Sequence, residues 1–209
     1  MTDFDRKARD WDSIPGRAER ARAVADAIRK RIPLTPGTGA LEYGCGTGLL
    51  SFALHPHLGR ITLADSSPGM LAVLAEKIAA GNIRNMFPIL LDLSAEPPPP
   101  ERYRLIYTLM TLHHIPDTSA ILRAFHGMLE ESGFLCVADL DAEDGSFHGP
   151  DFPGHKGFER GELKKICDRV GFRDVEFSTV FQVARETSGG NRDFPVFLMT
   201  ARKRPGHSA

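Results

Sequence analysis

The chain has 209 residues, 42% of them hydrophobic, which is enough to build one compact domain around a buried core. Its 26 lysines and arginines nearly balance its 27 aspartates and glutamates, so no overall positive field favours nucleic acid or an anionic membrane as a partner. The N-terminus lacks an apolar signal core, and no run of about 18 apolar residues occurs, so we expect a cytoplasmic protein without a membrane span. The three cysteines are far apart in sequence and predict isolated reduced thiols.

The first 33 residues are predicted to form a helical cap. Small and apolar residues recur at helical spacing over residues 21–32, with arginines and Asp26 on the other side, which predicts an amphipathic helix that ends near Pro33. Phe4, Ala8 and Trp11 share an earlier helical stripe. We expect a short helix there that rests on the domain, either as a lid or as a simple clasp.

Short apolar runs and helical patterns then alternate, which is typical of a parallel sheet covered by helices on both faces. The predicted strands are residues 40–43, 61–64, 86–91, 105–110 and 134–140. The predicted helices are residues 49–57, 68–80, 118–130 and 159–170. We assign residues 34–140 to a ligand-binding core and residues 141–157 to a loop on the substrate side.

The end of the chain breaks this alternation. Two strand-like runs, residues 175–184 and 194–201, are joined by polar residues with Gly189 and Gly190, which predicts an antiparallel hairpin. The last helix and this hairpin occupy residues 158–203. The whole pattern predicts a single α/β domain, residues 1–209, with a Rossmann-like, doubly wound, seven-stranded and mostly parallel sheet that ends in an antiparallel hairpin, with helices on both faces.

A glycine-rich turn follows the first predicted strand and opens a helix. Gly44, Gly46 and Gly48 would let a ligand approach the backbone, and the helix N-terminus would offer free amide donors. A dinucleotide fingerprint would need a third glycine where Leu49 stands. The order E-x-G-x-G-x-G therefore indicates a loop that need not hold a pyrophosphate, although a plain tight turn is an alternative.

Acidic residues lie at the ends of three predicted strands: Glu42, Asp65 and Asp92. Ligands of such sheets bind at the carboxyl ends of the strands, where a carboxylate can accept hydrogen bonds from a ribose. Asp65 could instead cap the next helix together with Ser66 and Ser67. Three acidic residues in corresponding positions favour a nucleoside site.

Five segments in this order resemble the class I S-adenosylmethionine-dependent methyltransferases. They are residues 41–48 (LEYGCGTG), 63–71 (LADSSPGML), 91–93 (LDL), 109–115 (LMTLHHI) and 133–139 (GFLCVAD). The resemblance covers about residues 40 to 140, and the terminal hairpin suits the same fold. It is nearest to the bacterial and archaeal small-molecule methyltransferases, a group that includes the quinone-biosynthesis C-methylases.

The resemblance implies that S-adenosylmethionine is the cofactor and assigns its contacts. The glycine loop would lie against the amino-acid part with Glu42 below it, Asp65 would hold the ribose, and Met70 would pack on the adenine. Asp92 and Leu93 would meet the adenine edge, and Leu109 would border the methionine moiety. The predicted cofactor-binding residues are Glu42, Gly44, Cys45, Gly46, Gly48, Asp65, Ser66, Met70, Asp92, Leu93 and Leu109.

The acceptor side offers three candidate catalytic residues, His113, His114 and His148. Methyl transfer from a sulfonium mainly requires alignment, but a histidine can accept a proton from the acceptor near neutral pH. Because adjacent residues in an extended chain point to opposite faces, we expect at most one of His113 and His114 to face the pocket. A packing or capping role is the structural alternative for either.

Residues 141–157 form a long loop in which aromatic and charged residues alternate, as expected of a lid over a small-molecule substrate. The loop shows no fixed spacing of metal ligands, so we predict no metal site. The N/D-P-P-Y/F sequence of nucleic-acid amino-methylases is absent after the fourth strand, which disfavours base methylation. A non-catalytic cofactor-binding module and a nicotinamide-dependent oxidoreductase remain the alternatives.

Overall fold

The computed structural model describes residues 2–149, 151–187 and 190–204. The α-helices described are α1 (Asp3–Lys7), α2 (Arg17–Arg31), α3 (Leu49–Leu54), α4 (Pro68–Ala80), α5 (Thr118–Met128) and α6 (Arg160–Val170). Short 3-10 turns occupy Ala8–Ser13, His55–His57 and Leu112–His114. The strands are β1 (Ala40–Tyr43), β2 (Ile61–Asp65), β3 (Met86–Leu90), β4 (Tyr103–Leu109), β5 (Leu129–Leu140), β6 (Phe172–Thr187) and β7 (Gly190–Lys203).

The seven strands form one sheet in the order β3-β2-β1-β4-β5-β7-β6. The first five strands along this order are parallel, whereas β7 runs antiparallel to both of its neighbours. The predicted fold class is therefore confirmed. The strand order reverses between β1 and β4, and a crevice opens at such a switch point beyond the carboxyl ends of the strands.

Each face of the sheet is covered by its own helices. Residues of α2, α3 and α4, among them Val24, Leu54 and Leu74, form one core cluster with the sheet. Residues of α5 and α6, such as Phe125 and Leu163, form the second cluster on the opposite face. Burial on both faces explains the near-continuous apolar sequence of the central strands.

The terminal hairpin is longer than predicted. The pairing of β7 with β5 ends at Val196 and Leu140, but β6 and β7 continue to pair beyond this point as far as Thr187 and Gly190. Because β7 is antiparallel to β5, this extension projects past the carboxyl ends of the parallel strands. It therefore stands beside the crevice on its acceptor side. None of the helices described is long and apolar enough to span a membrane.

Candidate cofactor and acceptor site

The glycine loop lies at the switch point between β1 and β4. Gly44, Gly46 and Gly48 have φ angles of 68°, 53° and 82°, a region that strongly favours glycine. A Cβ atom on Gly44 would overlap the side chain of Thr111, which follows β4. The Thr111 hydroxyl also donates to the Gly44 carbonyl oxygen at 3.2 Å. The loop is therefore pressed directly against the carboxyl end of β4.

A buried hydrogen-bond network lies beneath the loop. Glu42 is 2% exposed and accepts a hydrogen bond from the Ser51 hydroxyl. The Tyr107 hydroxyl lies 2.6 Å from the same Ser51 oxygen. Burial raises the pKa of Glu42 to about 8, and the nearby Asp65 charge adds to this shift. Glu42 is therefore mostly protonated at neutral pH.

Asp65, at the end of β2, is hydrogen-bonded to the glycine loop. Its carboxylate accepts hydrogen bonds from the Gly46 amide at 2.7 Å and from the Ser67 amide at 2.9 Å. The cap of α4 is supplied by Ser67, which accepts from the Met70 amide at 3.2 Å. Because each carboxylate oxygen has a further lone pair, Asp65 keeps acceptor capacity for a ligand. Ser66 is exposed beside it.

The remaining predicted cofactor residues have different surroundings. The Met70 sulfur lies 3.9 Å from the position of a Cβ on Gly46, and Leu109 is half-buried at the end of β4. The Leu93 amide, which the resemblance assigned to the adenine edge, donates to the Tyr43 hydroxyl at 3.0 Å. Asp92 accepts from an amide two residues later in the chain. Cys45 is buried and contributes its backbone to the loop, while burial raises the pKa of its thiol well above the usual range.

The N-terminal segment lies over the loop. Asp12 accepts hydrogen bonds from the Thr47 hydroxyl and from Lys77 Nζ, the latter at 2.6 Å. Trp11 Nε1 lies 3.6 Å from the position of a Cβ on Gly46. Gly46 is thus bordered by an aromatic ring and a thioether, and its amide donates to the Asp65 carboxylate. A nucleoside with an attached amino acid fits these surroundings, so the residues present are compatible with S-adenosylmethionine.

A buried histidine and carboxylate meet on the acceptor side of the crevice. His113 follows β4, and Asp139 lies near the end of β5, which pairs in parallel with β4. They are 1% and 0% exposed, and His113 Nδ1 lies 2.6 Å from Asp139 Oδ1. His113 Nε2 is buried and has no hydrogen-bond partner among the described residues. Asp139 was not among the predicted site residues, although its position at a strand end was a usable signal.

The three predicted catalytic histidines form one cluster. The ring centroid of His113 lies 4.2 Å from that of His114 and 4.9 Å from that of His148. One nitrogen of each ring lies within 4.8 Å of the others. The expectation that at most one of His113 and His114 faces the pocket was wrong, because they lie in a 3-10 turn and not in extended chain.

The pKa values of His114 and His148 are lowered by their surroundings. Burial, together with repulsion from His113, lowers the pKa of His114 and that of His148 to about 4. Both rings are therefore neutral at physiological pH. His148 is held by Phe152, whose ring stacks on it with centroids 3.9 Å apart.

Aromatic side chains surround the cluster. Phe4 of α1 packs edge-on against His114 at 5.2 Å and against Trp11 at 5.8 Å. The ring centroid of Phe147 lies 4.7 Å from that of His148. Both the N-terminal segment and the loop after β5 therefore pack against the histidine cluster.

Comparison with known proteins identifies the family. Residues 17–176 match the model of a family described as a methyltransferase domain, so the chain belongs to that family. Its fold and glycine loop are those of the class I S-adenosylmethionine-dependent methyltransferases. The expected enzyme class and cofactor are thereby confirmed, and the oxidoreductase alternative does not agree with this family.

Two curated relatives each match just over half of the chain. A ubiquinone biosynthesis O-methyltransferase of Xylella fastidiosa is 35% identical over 118 residues, or 56% of this chain and 47% of that protein. An uncharacterized methyltransferase of Schizosaccharomyces pombe is 32% identical over 120 residues, or 54% of this chain and 42% of that protein. The chain spans about half the length of the curated relatives it matches.

Solved structures share the fold at low sequence identity. Haemonchus contortus phosphoethanolamine N-methyltransferase 2, solved with S-adenosyl-L-methionine, has a TM-score of 0.71 at 14% identity, covering 98% of this chain and 60% of that one. The [4+2]-cyclase SpnF has a TM-score of 0.71 at 17% identity, and the match covers 88% of this chain and 81% of that one. Because one fold serves different reactions, the acceptor chemistry has to be argued from the site.

Proposed function

We propose that this protein transfers a methyl group from S-adenosylmethionine to a hydroxyl oxygen of a small-molecule acceptor and releases S-adenosylhomocysteine. The observation that carries the proposal is the buried pair of His113 and Asp139 at the carboxyl ends of β4 and β5, with His113 Nε2 directed away from Asp139 and unpartnered among the described residues. When bound, the cofactor supplies a methyl group activated by its sulfonium. His113 Nε2 would accept the hydroxyl proton as the acceptor oxygen bonds to the methyl carbon and the carbon–sulfur bond breaks.

His113 is the best proton acceptor of the three histidines. Asp139 accepts a hydrogen bond from Nδ1, which fixes the tautomer and stabilises the imidazolium that proton transfer creates. His114 and His148 have pKa values of about 4 and are correspondingly weak bases. We assign them to contacts with the acceptor.

Two further observations support a small acceptor methylated on oxygen. His113 is 1% exposed beneath aromatic side chains of the N-terminal segment and the loop after β5, so an acceptor has to enter an enclosed space from which water is largely excluded. The relative from Xylella fastidiosa is named as an O-methyltransferase of ubiquinone biosynthesis. We also propose that the predicted cofactor residues Glu42, Asp65 and Met70 serve the roles that the family resemblance gives them.

The proposal is tested by measuring methyl transfer from radiolabelled S-adenosylmethionine to a panel that includes phenol, catechol and 3,4-dihydroxybenzoate. We expect His113→Gln to lower kcat by about 10²- to 10⁴-fold, as loss of a general base does, with unchanged affinity for S-adenosylhomocysteine. His148→Gln serves as the matched control and should lower kcat less than about tenfold. Full activity of His113→Gln would contradict the role of His113, and tight S-adenosylhomocysteine binding without turnover would favour a non-catalytic module.

A further inference from the structure

A group of three arginines lies near the histidine cluster, where Arg20 interacts electrostatically with Asp139 and Arg185 with His148. Arg17 and Arg20 lie almost one turn apart on α2, and Arg185 lies on β6, which packs against α2. In the described part of the chain, none of the three forms an ion pair with an aspartate or glutamate. Burial, with repulsion from Arg20 and Arg185, lowers the pKa of Arg17 to about 10, so these like charges are close enough to repel each other.

Two other arginines on this side of the fold are instead paired with carboxylates. Arg160 nearby makes a bidentate contact with Asp141, with both nitrogen–oxygen distances at 2.6 Å. Arg192, on the same hairpin as Arg185, pairs with Asp144 at 2.5 Å. Two of the carboxylates after β5, Asp141 and Asp144, are therefore engaged by Arg160 and Arg192. Arg20, which is half-buried, and Arg185, which is exposed, have no such carboxylate partner among the described residues.

Of the three guanidiniums, that of Arg20 makes the fewest hydrogen bonds to the described residues. Its side chain is half-buried, its Nε is inaccessible to solvent, and the guanidinium makes no hydrogen bond to another described residue. Its charge interacts with Asp139, the partner of His113, and with Arg185. A guanidinium that is removed from water and leaves hydrogen-bond donors unused lowers the stability of the fold unless an anion pairs with it.

Arg185 connects this charge to the acceptor pocket. Its guanidinium donates to the carbonyl oxygen of Phe147 and lies over the Phe147 ring, 4.5 Å from its centroid. Its positive charge contributes to the lowered pKa of the adjacent His148. The Arg17 guanidinium is engaged by another residue, because it stacks on Trp11 with its Cζ 3.4 Å from the ring centroid. Arg20 and Arg185 therefore remain as the principal binding groups.

The same surroundings disfavour a divalent cation. The nitrogens of the three histidines are close enough to suggest a metal site, and His113 is oriented by a carboxylate as many metal-binding histidines are. A cation there would be repelled by Arg185, whose charge acts on His148, and by Arg20, whose charge acts on Asp139. The surplus positive charge instead attracts an anion.

We propose that the methyl acceptor carries an oxyanion, a carboxylate or a phosphate, which Arg20 and Arg185 bind while the acceptor hydroxyl lies against His113. The proposal rests on the function proposed above and names the substrate class of the same site. The planar guanidinium fork matches both oxyanions with paired hydrogen bonds.

Calorimetric titration of the protein saturated with S-adenosylhomocysteine tests this inference. The probes are 3,4-dihydroxybenzoate, its uncharged methyl ester, and 3,4-dihydroxyphenyl phosphate. We expect the acid or the phosphate to bind at least about tenfold more tightly than the ester. Arg20→Gln and Arg185→Gln should each abolish most of that preference, whereas Arg192→Gln, on the same hairpin, should retain it. Because the preference is a ratio within one variant, moderate loss of stability does not affect the comparison.

Several results would overturn the inference. These are equal affinities for acid, phosphate and ester, no binding of either anion at millimolar concentration, or Zn²⁺ binding that His148→Gln abolishes without any preference for anions. Methyl transfer measured in parallel separates the two proposals. Methylation of uncharged catechol without anion preference would leave the proposed function standing, whereas anion binding without methyl transfer would contradict the proposed function alone.

Discussion

The buried carboxyl group of Glu42 predicts an unusual dependence of stability on pH. Burial beneath the glycine loop raises its pKa from 4.5 to about 8. In the unfolded chain the group loses its proton near pH 4.5, whereas in the folded protein it keeps the proton until about pH 8. The stabilisation associated with this proton is therefore fully present below about pH 4.5 and is lost as the pH rises through about 8.

The magnitude follows from the size of the shift. At about 1.4 kcal/mol per pKa unit, a rise from 4.5 to about 8 corresponds to a loss of about 5 kcal/mol across that pH range. Glutamine has a similar shape and does not ionise. The difference in free energy of unfolding between Glu42→Gln and the wild type should therefore change by about 3–5 kcal/mol in favour of the variant as the pH rises from about 5 to about 9.

Urea denaturation at several pH values, followed by tryptophan fluorescence, measures this difference. Glu76→Gln is a matched control, because Glu76 is largely exposed in an ion pair with Arg9 and should give a nearly constant difference from the wild type. Parallel pH profiles for Glu42→Gln and the wild type would refute the conclusion that Glu42 is protonated in the folded protein.

Three further predictions concern the loop and the buried pair. Gly44→Ala should lower the free energy of unfolding by about 2–4 kcal/mol in urea denaturation, because the new Cβ would overlap Thr111 at a positive φ. Trp11, the single tryptophan of the chain, lies by the glycine loop, so its emission should change on titration with S-adenosylhomocysteine. Asp139→Asn should lower kcat by about 10²-fold or more, because the amide cannot stabilise a protonated His113.

Each of these predictions has a clear contrary result. Gly39→Ala is the control for the loop, since a Cβ there has no neighbour within 4 Å, and equal stability of the two variants would contradict the predicted overlap. Unchanged Trp11 emission under conditions where calorimetry shows binding would place the ligand away from the N-terminal segment. An Asp139→Asn variant with wild-type kcat would remove the carboxylate from the mechanism.

Hydrophobic periodicity was sufficient to predict the regular elements of the core. The bounds of β1 and α4 agree with the prediction to the residue, because buried apolar runs and the Ser67-Pro68 start signal are local features. The helix predicted to end at residue 130 ends at Met128, and β5 begins at Leu129 instead of residue 134. Pairing of Tyr103 with Leu129 across an irregularity in the sheet causes this early start, and such a nonlocal contact has no local sequence pattern.

The acceptor site depends on contacts that sequence patterns do not reveal. His113 and Asp139 are 26 residues apart and meet because β4 and β5 are parallel neighbours. Arg20 follows the polar side of a helical pattern and would be assigned to solvent, but the packing of β6 beside α2 partly buries it. The identity of the cofactor was therefore accessible from the glycine loop, whereas the charge of the acceptor pocket required the tertiary structure.

The most direct test of the central claim is a crystal structure of the complex with S-adenosylhomocysteine. We expect the homocysteine part to lie on the loop of residues 44–48 and the sulfur to face an open space bounded by His113 Nε2. A sulfur directed away from the three histidines, or a ligand bound outside the crevice between β1 and β4, would contradict this expectation.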